Sequence, residues 1–402
     1  MKKNVLKLVA VLAMFMAIGL LTACNRGDNY DVRIGMISPL TGPASQFGTA
    51  VERGIRLYVD QFNALGGLQI GIMSHDDQGE AAVAAMGFDR LAGGGVTGII
   101  GAVTSGPTRA IVPLSYEANM PMITATATHF NVTVSEDGRV FTNMFRSCFI
   151  DPFQGLRMAE FAADYLGART VAVLYSNEID YSIGLMESFI ARAEALGMEV
   201  VSVQRFADAA LDFRSQLALI ASADPDVLFV PAYYRHIGLI GPQSVEVGLP
   251  NTTLIGADGW ATITDFMTDA SSIEGAYFLT GFSAEADSPV VRDFVNAYRE
   301  RHGETPNMFA AQAFDAAKII IAAIERTIAD RGYDWQDDSF DFSAAVTSDS
   351  FRTALIANMA ATDIQGVTGR ITFDELNNPE KTAVILQVRD GEEKFWGYFP
   401  MN

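Results

Sequence analysis

The chain is poor in cysteine and histidine, with two cysteines and four histidines in 402 residues. Cys24 lies in the N-terminal segment and Cys148 stands alone in the rest, so the sequence offers no internal disulfide framework. We expect Cys148 to be a buried, small apolar residue. The histidines are isolated from one another and form neither an HExxH nor a Cys/His motif, which excludes the familiar zinc sites.

Basic residues are also scarce. Lys and Arg number 28 against 48 Asp and Glu, and the formal net charge is −20. This balance argues against binding to nucleic acid and against electrostatic adhesion to anionic lipid. The sequence contains no GxSxG elbow and no SxxK motif of the kind that activates a serine nucleophile. We therefore expect no enzyme, no cofactor and no metal.

A long apolar run occurs only at the N-terminus. Lys2, Lys3 and Lys7 precede the apolar stretch Leu8–Leu21, and Leu21-Thr-Ala-Cys24 resembles a bacterial lipobox. Residues 1–23 are predicted to be a lipoprotein signal peptide, Cys24 the lipidated residue, and residues 24–30 a polar tether. Several acyl chains would anchor an exported protein firmly, at the cell surface or in the periplasm. A plain signal peptide or a short anchor helix is the alternative.

Short apolar strands alternate with amphipathic helices between residues 32 and 130, which is typical of a doubly wound parallel sheet. The predicted strands are Val32–Ser38, Ile70–His75, Val96–Ile100 and Met120–Thr124, and the predicted helices are Thr49–Leu65, Glu80–Leu91 and Pro107–Ala118.

The same alternation begins again at residue 151 and runs to residue 280. Beyond the leader the chain has about 380 residues, which suits two domains. We therefore predict an α/β protein of two doubly wound, parallel-sheet lobes. Helices are predicted at 288–302 and 310–331, an Asp-rich surface excursion at 332–349, and a closing hairpin of Gly369–Asp374 with Ala383–Val388.

The stretch Gly101–Ala110 marks one candidate binding site. It follows a buried strand, and Pro107 suits the first turn of a helix whose N-cap lies near Ser105. Free N–H groups and the helix dipole at such a start attract a negative group, and a single carboxylate fits this loop better than a phosphate chain. An ordinary capped turn between strand and helix is the alternative.

Ligands of doubly wound sheets bind outside the carboxyl ends of the strands, so the strand-end loops of two facing lobes would converge on one cleft. In the first half these loops carry small hydroxyls and helix starts. In the second half they carry tyrosines, aspartates and a tryptophan. Hydroxyls and N–H groups suit a carboxylate, and an aspartate among aromatic rings suits an ammonium. A ligand with both groups is an amino acid.

Several segments in order resemble the leucine/isoleucine/valine-binding protein family, the capture component of branched-chain amino acid ABC transporters. The similar segments, spread over most of residues 32–388, are Ile37-Ser-Pro-Leu-Thr-Gly-Pro with Phe47-Gly, Phe62-Asn-Ala-Leu-Gly-Gly-Leu, Asp76-Asp-Gln-Gly, Ile100-Gly-Ala-Val-Thr-Ser, Asp180-Tyr-Ser-Ile-Gly, Gly256-Ala-Asp-Gly-Trp and Gly366-Val-Thr-Gly-Arg-Ile-Thr-Phe-Asp.

The resemblance implies the type I periplasmic-binding fold, with two lobes joined by a three-segment hinge that closes on the ligand. It places residues 31–148 and 281–349 in an N-terminal lobe, and 149–280 and 350–402 in a C-terminal lobe. It also implies an amino acid ligand, permease subunits as partners and a monomeric protein. A ligand-sensing module reporting to a receptor and an amide hydrolase on the same fold are the alternative functions.

The resemblance also implies roles for nine residues. Ser105, Thr126 and Thr128 would hold the ligand carboxylate, and Asp258 would bind the ammonium. Tyr181 and Tyr233 would cover the ligand, and Phe47, Val103 and Phe309 would line the side-chain pocket. This sequence departs from the family pattern in having Asp instead of Glu at 258, a hydroxyl at Thr126, and the bulk of Trp260 beside Asp258.

Structural roles remain open for several of these residues. The two tyrosines could pack the lobes together, Asp258 could cap the following helix, Thr126 could satisfy its own turn, and Phe309 could be part of the core.

Overall fold

The computed structural model describes residues 30–249 and 251–399. The predicted signal peptide, the lipidation site Cys24 and nearly all of the tether therefore lie outside the described residues.

Five parallel strands form the first sheet, in the order β2-β1-β3-β4-β5. The first strand is almost wholly buried because helices cover both faces of the sheet, which explains its near-continuous apolar sequence. The elements of this part of the chain are β1 (Val32–Ser38), α1 (Ser45–Asn63), β2 (Ile70–Asp76), α2 (Ala81–Gly93), β3 (Gly98–Ile100), α3 (Ser105–Glu117), β4 (Met122–Thr124) and β5 (Met144–Arg146).

Seven strands form the second sheet, in the order β14-β13-β10-β9-β8-β6-β7. Its first five strands in sequence repeat the order of the first sheet, so the duplication predicted from the alternating pattern is confirmed at the level of topology. The elements are α4 (Asp151–Glu160), β6 (Thr170–Ser176), α5 (Asp180–Ala195), β7 (Glu199–Phe206), α6 (Arg214–Ala223), β8 (Val227–Phe229), α7 (Tyr234–Glu246), β9 (Thr253–Gly256), α8 (Ile263–Phe266) and β10 (Tyr277–Thr280).

The C-terminal strands differ from the prediction. Instead of a hairpin between residues 369–374 and 383–388, β11 (Asp363–Gly366) pairs with β12 (Gly369–Thr372), while β13 (Ala383–Arg389) pairs antiparallel with β10 and with β14 (Glu392–Phe399). The predicted hairpin is therefore wrong. Both segments have strand-like sequences, but alternation alone does not tell which partner a strand takes.

The remaining helices are α9 (Pro289–His302), α10 (Met308–Arg331), α11 (Phe342–Val346) and α12 (Asp349–Ala360). Helix α10 packs along α1, and α12 packs along α10. The side chain of Asn119, which follows α3, donates to the Asp349 carboxylate at 2.7 Å and to the Thr353 hydroxyl at 2.8 Å. The segment from 349 to 360 therefore packs on the first sheet, which differs from the lobe boundary expected at residue 350.

We use "first lobe" for the first sheet with its helices, including α9 to α12, and "second lobe" for the second sheet with its helices. The chain passes between them after β5, after β10 and before β13. The excursion expected at 332–349 lies largely at the surface, apart from the buried Phe342 and Val346 of α11.

Within the described residues, no helix has the length and apolar character that crossing a bilayer requires, and no group of three or more His, Cys, Asp and Glu side chains could hold a metal ion. Cys148 is fully buried, as expected, and its thiol lies 3.5 Å from the carbonyl oxygen of Ala127.

Candidate functional site

The first lobe presents the N-terminus of helix α3 to the interlobe cleft. The helix begins at Ser105, directly after the loop that follows β3. Ser105 is 2% exposed, and its hydroxyl oxygen accepts the backbone N–H of His129 at 3.3 Å. The first N–H groups of a helix have no partner inside it, and the helix dipole adds partial positive charge there. This end of the cleft can therefore receive a negative group.

The hydroxyl of Thr126 is already engaged. It donates to the carbonyl oxygen of Val103 at 2.7 Å, which ties the loops after β4 and β3 together. Because a hydroxyl has one hydrogen, Thr126 cannot also donate to a ligand carboxylate while this bond lasts. Its side chain lies at the cavity described below, and its hydroxyl has a structural role other than the one that we considered, since it bonds to another loop and not to its own turn.

The second lobe presents a buried carboxyl held by a tyrosine. Asp258 is 2% exposed and accepts the O–H of Tyr181 at 2.8 Å. The Tyr181 oxygen in turn accepts the N–H of Gly259 at 2.8 Å. A Cβ atom at Gly259 would lie only 2.8 Å from that oxygen, so a residue without a side chain is needed here. Asp258 is the first residue of the short 3₁₀ helix Asp258–Trp260, and Ala257 occupies its N-cap position, so Asp258 is not the N-cap residue.

Burial raises the pKa of Asp258 to about 7, although hydrogen bonds from Tyr181 and neighbouring groups favour its charged form. A carboxyl in this state gains most from a cation placed beside it, because the cation restores the solvation that burial removed. The electrostatics of this end of the cleft therefore favour a positively charged group.

Aromatic rings close the space between these two ends. Tyr181 and Tyr233 stack with their centroids 4.9 Å apart, and Phe47 and Phe309 stack at 4.1 Å. Phe47 of the first lobe meets Tyr233 of the second edge to face at 5.5 Å. Tyr233 thus packs the lobes together and also lies at the cleft, so the two roles considered for it are compatible.

One cavity between the lobes collects most of the predicted residues. Eight of the nine line it, namely Phe47, Val103, Ser105, Thr126, Tyr181, Tyr233, Asp258 and Phe309. Thr104 and Gly259, which sequence reasoning did not single out, line it as well. The cavity volume is about 10 Å³, which is room for about one water molecule. The lobes must therefore separate before an amino acid can enter.

Two residues lie elsewhere. Thr128 does not line this cavity; it is buried behind it, and its carbonyl accepts the N–H of Asp151 at 2.8 Å. Trp260 was expected to add bulk beside Asp258, but its ring packs against Gly256 in the core of the second lobe, and its indole N–H donates to Val230 at 2.8 Å. The expectation for Trp260 is wrong because Gly256, the last residue of β9, has no side chain and leaves space for the ring inside the lobe.

Sequence reasoning also missed Asp151 and Gln154, at the start of α4. Both are fully buried, and the Gln154 side-chain oxygen accepts the backbone N–H of Asp258 at 3.1 Å. An Asp followed by Pro152 is typical of an ordinary helix start, so no sequence pattern indicates that these side chains lie beside the cleft.

No histidine supplies a base to Ser105. The contact between Ser105 and His129 is to the backbone N–H, while Nδ1 of the imidazole accepts the N–H of Asn131 at 3.1 Å. Burial and the nearby arginines Arg109 and Arg146 lower the pKa of His129 to about 4. His236 lies 2.8 Å from the carbonyl oxygen of Asp208, away from the cavity. The nucleophile and base that an amide hydrolase needs are therefore not paired at these positions.

Comparison with known proteins points to one family. The family described as periplasmic binding protein matches residues 31–393. A relative named Leu/Ile/Val-binding protein homolog 3, from Brucella melitensis, is 26% identical over 324 residues, which is 80% of this chain and 85% of that protein.

Solved structures agree. The leucine-binding protein LivK from Thermotoga maritima has a TM-score of 0.80 and 31% identity, and the match covers 91% of this chain and 98% of that one. The branched-chain amino acid transporter substrate-binding protein LivJ from Streptococcus pneumoniae, solved with isoleucine, has a TM-score of 0.78 and 28% identity, and the match covers 91% and 99% of the two chains. The fold is thus a mixed α/β fold with parallel-strand sheets, like these structures.

Proposed function

The chain belongs to the periplasmic binding protein family that includes the leucine/isoleucine/valine-binding proteins, and from that premise we propose that it captures a free, branched-chain-like amino acid for an ABC importer. The family is one of extracytoplasmic substrate-binding proteins. The ligand, the importer and the role of each site residue are our proposal.

The opposed polarity of the cavity supports this proposal most strongly. Its second-lobe side carries the buried carboxyl of Asp258, and its first-lobe side carries Ser105 and the start of α3. A zwitterion satisfies both ends at once, with its ammonium at Asp258 and its carboxylate at Ser105. Phe47, Val103 and Phe309 lie along the same cavity and provide an apolar wall for a hydrocarbon side chain. A neutral or purely anionic ligand would leave Asp258 without a partner, at a cost of several kcal/mol.

Size and affinity are compatible with this ligand. A free amino acid has about ten non-hydrogen atoms, and at roughly 1 kcal/mol per atom for a small, well-buried ligand a micromolar Kd or tighter is attainable.

We further propose that lipid at Cys24 anchors the protein to the membrane, that it works as a monomer, and that its partners are the permease subunits of the importer. The leader sequence that supports the anchor lies outside the described residues. Mass spectrometry of the intact protein from membranes, compared with Cys24→Ala, tests it: the wild-type chain should begin at residue 24 and carry added acyl mass, and an unmodified chain would contradict the anchor.

The ligand itself is tested by identifying what the protein carries. Protein purified without refolding should release an amino acid on denaturation, detectable by mass spectrometry in near-stoichiometric amount. A thermal-shift screen of the twenty L-amino acids should then raise the Tm with the same compound by mass action. Release of a compound without an amino group, together with no shift from any amino acid, would overturn the proposal.

Motion provides an independent test, because an amino acid can enter the cleft only when the lobes separate. Ligand contacts from both lobes exist only in the closed form, so ligand should shift an open protein towards it. Small-angle scattering should show a smaller radius of gyration with the ligand than without it. An equal radius in both conditions would indicate a fixed pocket.

A further inference from the structure

A cluster of buried polar atoms without partners lies behind the cavity. Both carboxylate oxygens of Asp151, the hydroxyl of Thr128 and the side-chain nitrogen of Gln154 have no hydrogen-bond partner among the described residues. All three residues are at most 1% exposed. Most buried polar groups in native proteins are hydrogen-bonded, so a concentration of unsatisfied ones calls for a functional explanation.

The cluster adjoins the Asp258 end of the cleft. Gln154 lies three residues after Asp151, on the same face of α4, and its oxygen accepts the N–H of Asp258 at 3.1 Å. On the other side, a Cβ atom at Gly184 would lie 3.1 Å from the Asp151 carboxylate. Gly184 lies three residues after Tyr181 on α5, and Tyr181 donates to Asp258. Asp151, which lies on α4, therefore faces α5, and these two helices carry the side chains that contact Asp258.

Among the described residues, no cation is in hydrogen-bond contact with the Asp151 carboxylate. The buried guanidinium of Arg146 is near, but its donors point to the carbonyl oxygens of Ala127, His129 and Phe130 and to the Thr133 hydroxyl, at 3.1 to 3.3 Å. No salt bridge to Asp151 occurs in the part of the chain that the structure describes. Burial raises the pKa of Asp151 well above its usual range, and the charge of Asp258 adds to this, while Thr128 and Arg146 lower it.

We propose that Asp151 is a positioning residue of the ammonium subsite, which acts on the ligand from behind Asp258 and makes the site require a ligand amino group. This inference rests on the proposed function and deepens it. Asp151 lies behind Asp258, and the cation near it, Arg146, directs its donors to other groups. A ligand ammonium placed at this end of the cleft therefore favours the charged form of both carboxyls. A ligand with a neutral group at that position meets two unsatisfied acids instead.

The same arrangement explains why the cluster is unsatisfied. A buried carboxyl without a cation destabilises the folded protein, and replacing it with a neutral group of similar size removes that penalty. A residue kept for structure would be expected to have donors around it. A buried carboxyl that lacks a cation is what we expect of a binding site in which the ligand supplies the positive charge.

The test compares Asp151→Asn with the wild-type protein, using L-leucine and its deaminated analogue 4-methylpentanoate as probes in titration calorimetry. We expect the variant to lose tenfold or more in affinity for L-leucine and little or nothing for 4-methylpentanoate. The Tm of the ligand-free variant should be equal to that of the wild type or higher. Asp315→Asn, which changes a buried carboxyl at the hinge, is the matched control and should leave the preference for the amino group unchanged.

The outcomes separate this inference from the proposed function. If wild type binds none of the amino acids, the proposed function fails. If wild type binds L-leucine and Asp151→Asn binds it equally well, the inference about Asp151 is overturned. A variant with a lowered Tm and equal losses for both probes would also overturn it, because that pattern describes a structural residue, for example one that holds a buried water.

Discussion

Two buried aspartates, one at the hinge and one at the cleft, have opposite surroundings. Asp315 on α10 accepts the N–H groups of Val367 and Thr368 at 2.7 and 2.9 Å and the Thr368 hydroxyl at 2.6 Å. Lys381 donates to the same hydroxyl. The carboxylate of Asp258 accepts one short hydrogen bond, from the Tyr181 hydroxyl at 2.8 Å, with Gln154 and Gly259 as weaker neighbours. A carboxylate surrounded by donors holds its own structure together, whereas one with few donors is left for a partner that arrives from outside.

The largest effect expected from this comparison is on ligand binding at Asp258. Asp258→Asn keeps the size of the side chain but removes its charge, which leaves the ligand ammonium buried and unpaired. Breaking one side of a buried pair typically costs about 3–5 kcal/mol, so affinity for the captured amino acid should fall on the order of a hundredfold or more. Titration calorimetry measures this, and the ligand-free Tm should not fall.

Asp315→Asn is predicted to do the reverse. It removes a charged acceptor from three donors, so the free energy of unfolding should fall by about 1–3 kcal/mol. Affinity should stay near the wild-type value, because Asp315 does not line the cavity. Denaturant unfolding and calorimetry on both variants complete the comparison. Equal losses of affinity in both variants, or equal losses of stability, would contradict the prediction that the hinge aspartate stabilises the fold and the cleft aspartate binds the ligand.

Closure of the empty protein should depend on pH for the same reason. In the closed cleft burial raises the pKa of Asp258 to about 7, from an ordinary aspartate value of about 4. Between these values the closed form binds more protons than the open form, so the closed form is favoured at low pH and loses about 1.4 kcal/mol per pH unit as the pH rises to 7. Ligand-free protein should therefore have a smaller radius of gyration at pH 5 than at pH 8.

The variant Asp258→Asn is the control for this pH effect. It should reduce the dependence without abolishing it, since burial also raises the pKa of Asp151. A wild-type radius that stays constant from pH 5 to pH 8 would show that burial of these carboxyls does not resist closure. At neutral pH, burying these charged carboxyls opposes closure of the lobes. We therefore expect the lobes to close when a cationic group is bound beside the carboxyls.

Much of the fold was predictable because it depends on local periodicity. The parallel strands other than β5 and the helices between them follow from apolar runs that alternate with amphipathic segments. Strands β5 and β14 and the order of the strands in either sheet were not part of the prediction. The pairing of β13 with β10 and the packing of α12 on α10 were not predictable. An amphipathic helix or a strand reveals that one face is buried, but not which element buries it.

The site was predictable to the extent that strand-end loops converge. This geometry and the family resemblance together predicted nine site residues, and eight of them line one cavity. The placement of Thr128, Trp260 and Asp151 was not predicted correctly. Their positions depend on side-chain packing across α4, α5 and the loops, and such packing produces no periodic pattern in the sequence. The roles of the eight residues stay predictions until variants are measured.

The first-lobe end of the cavity should show a smaller effect than Asp258. Ser105→Ala removes one charge-assisted hydrogen bond to the ligand carboxylate but leaves the N–H groups of α3 in place, so binding should weaken by roughly 1.5–3 kcal/mol. Ser115→Ala is the matched control, because Ser115 lies on the same helix and its hydroxyl donates to Val112 at 2.7 Å. If calorimetry finds the same ligand affinity for Ser105→Ala as for the wild type, Ser105 does not bind the ligand.

The smallest predicted effect concerns an ion pair at the rim, outside the desolvated cavity. Arg109 on α3 contacts Asp180 on α5 at 2.6 Å, so the pair joins the two lobes only when they are closed. Its side chains are 25% and 35% exposed, and exposed pairs contribute about 0.2–1 kcal/mol. Arg109→Gln and Asp180→Asn should therefore each weaken ligand binding by only a few fold. A double-mutant cycle should assign this loss to the pair.

Salt distinguishes this rim contact from the buried carboxyls, because screening acts on exposed charges far more than on desolvated ones. The wild-type advantage over both rim variants should shrink between 50 mM and 500 mM NaCl, while the loss caused by Asp258→Asn should persist. Arg214→Gln breaks the Arg214–Glu246 pair within the second lobe, at 2.7 Å, and should leave affinity unchanged at every salt concentration. A rim effect as large and as salt-resistant as that of Asp258 would mean that the charge driving closure lies at the mouth of the cleft, not inside it.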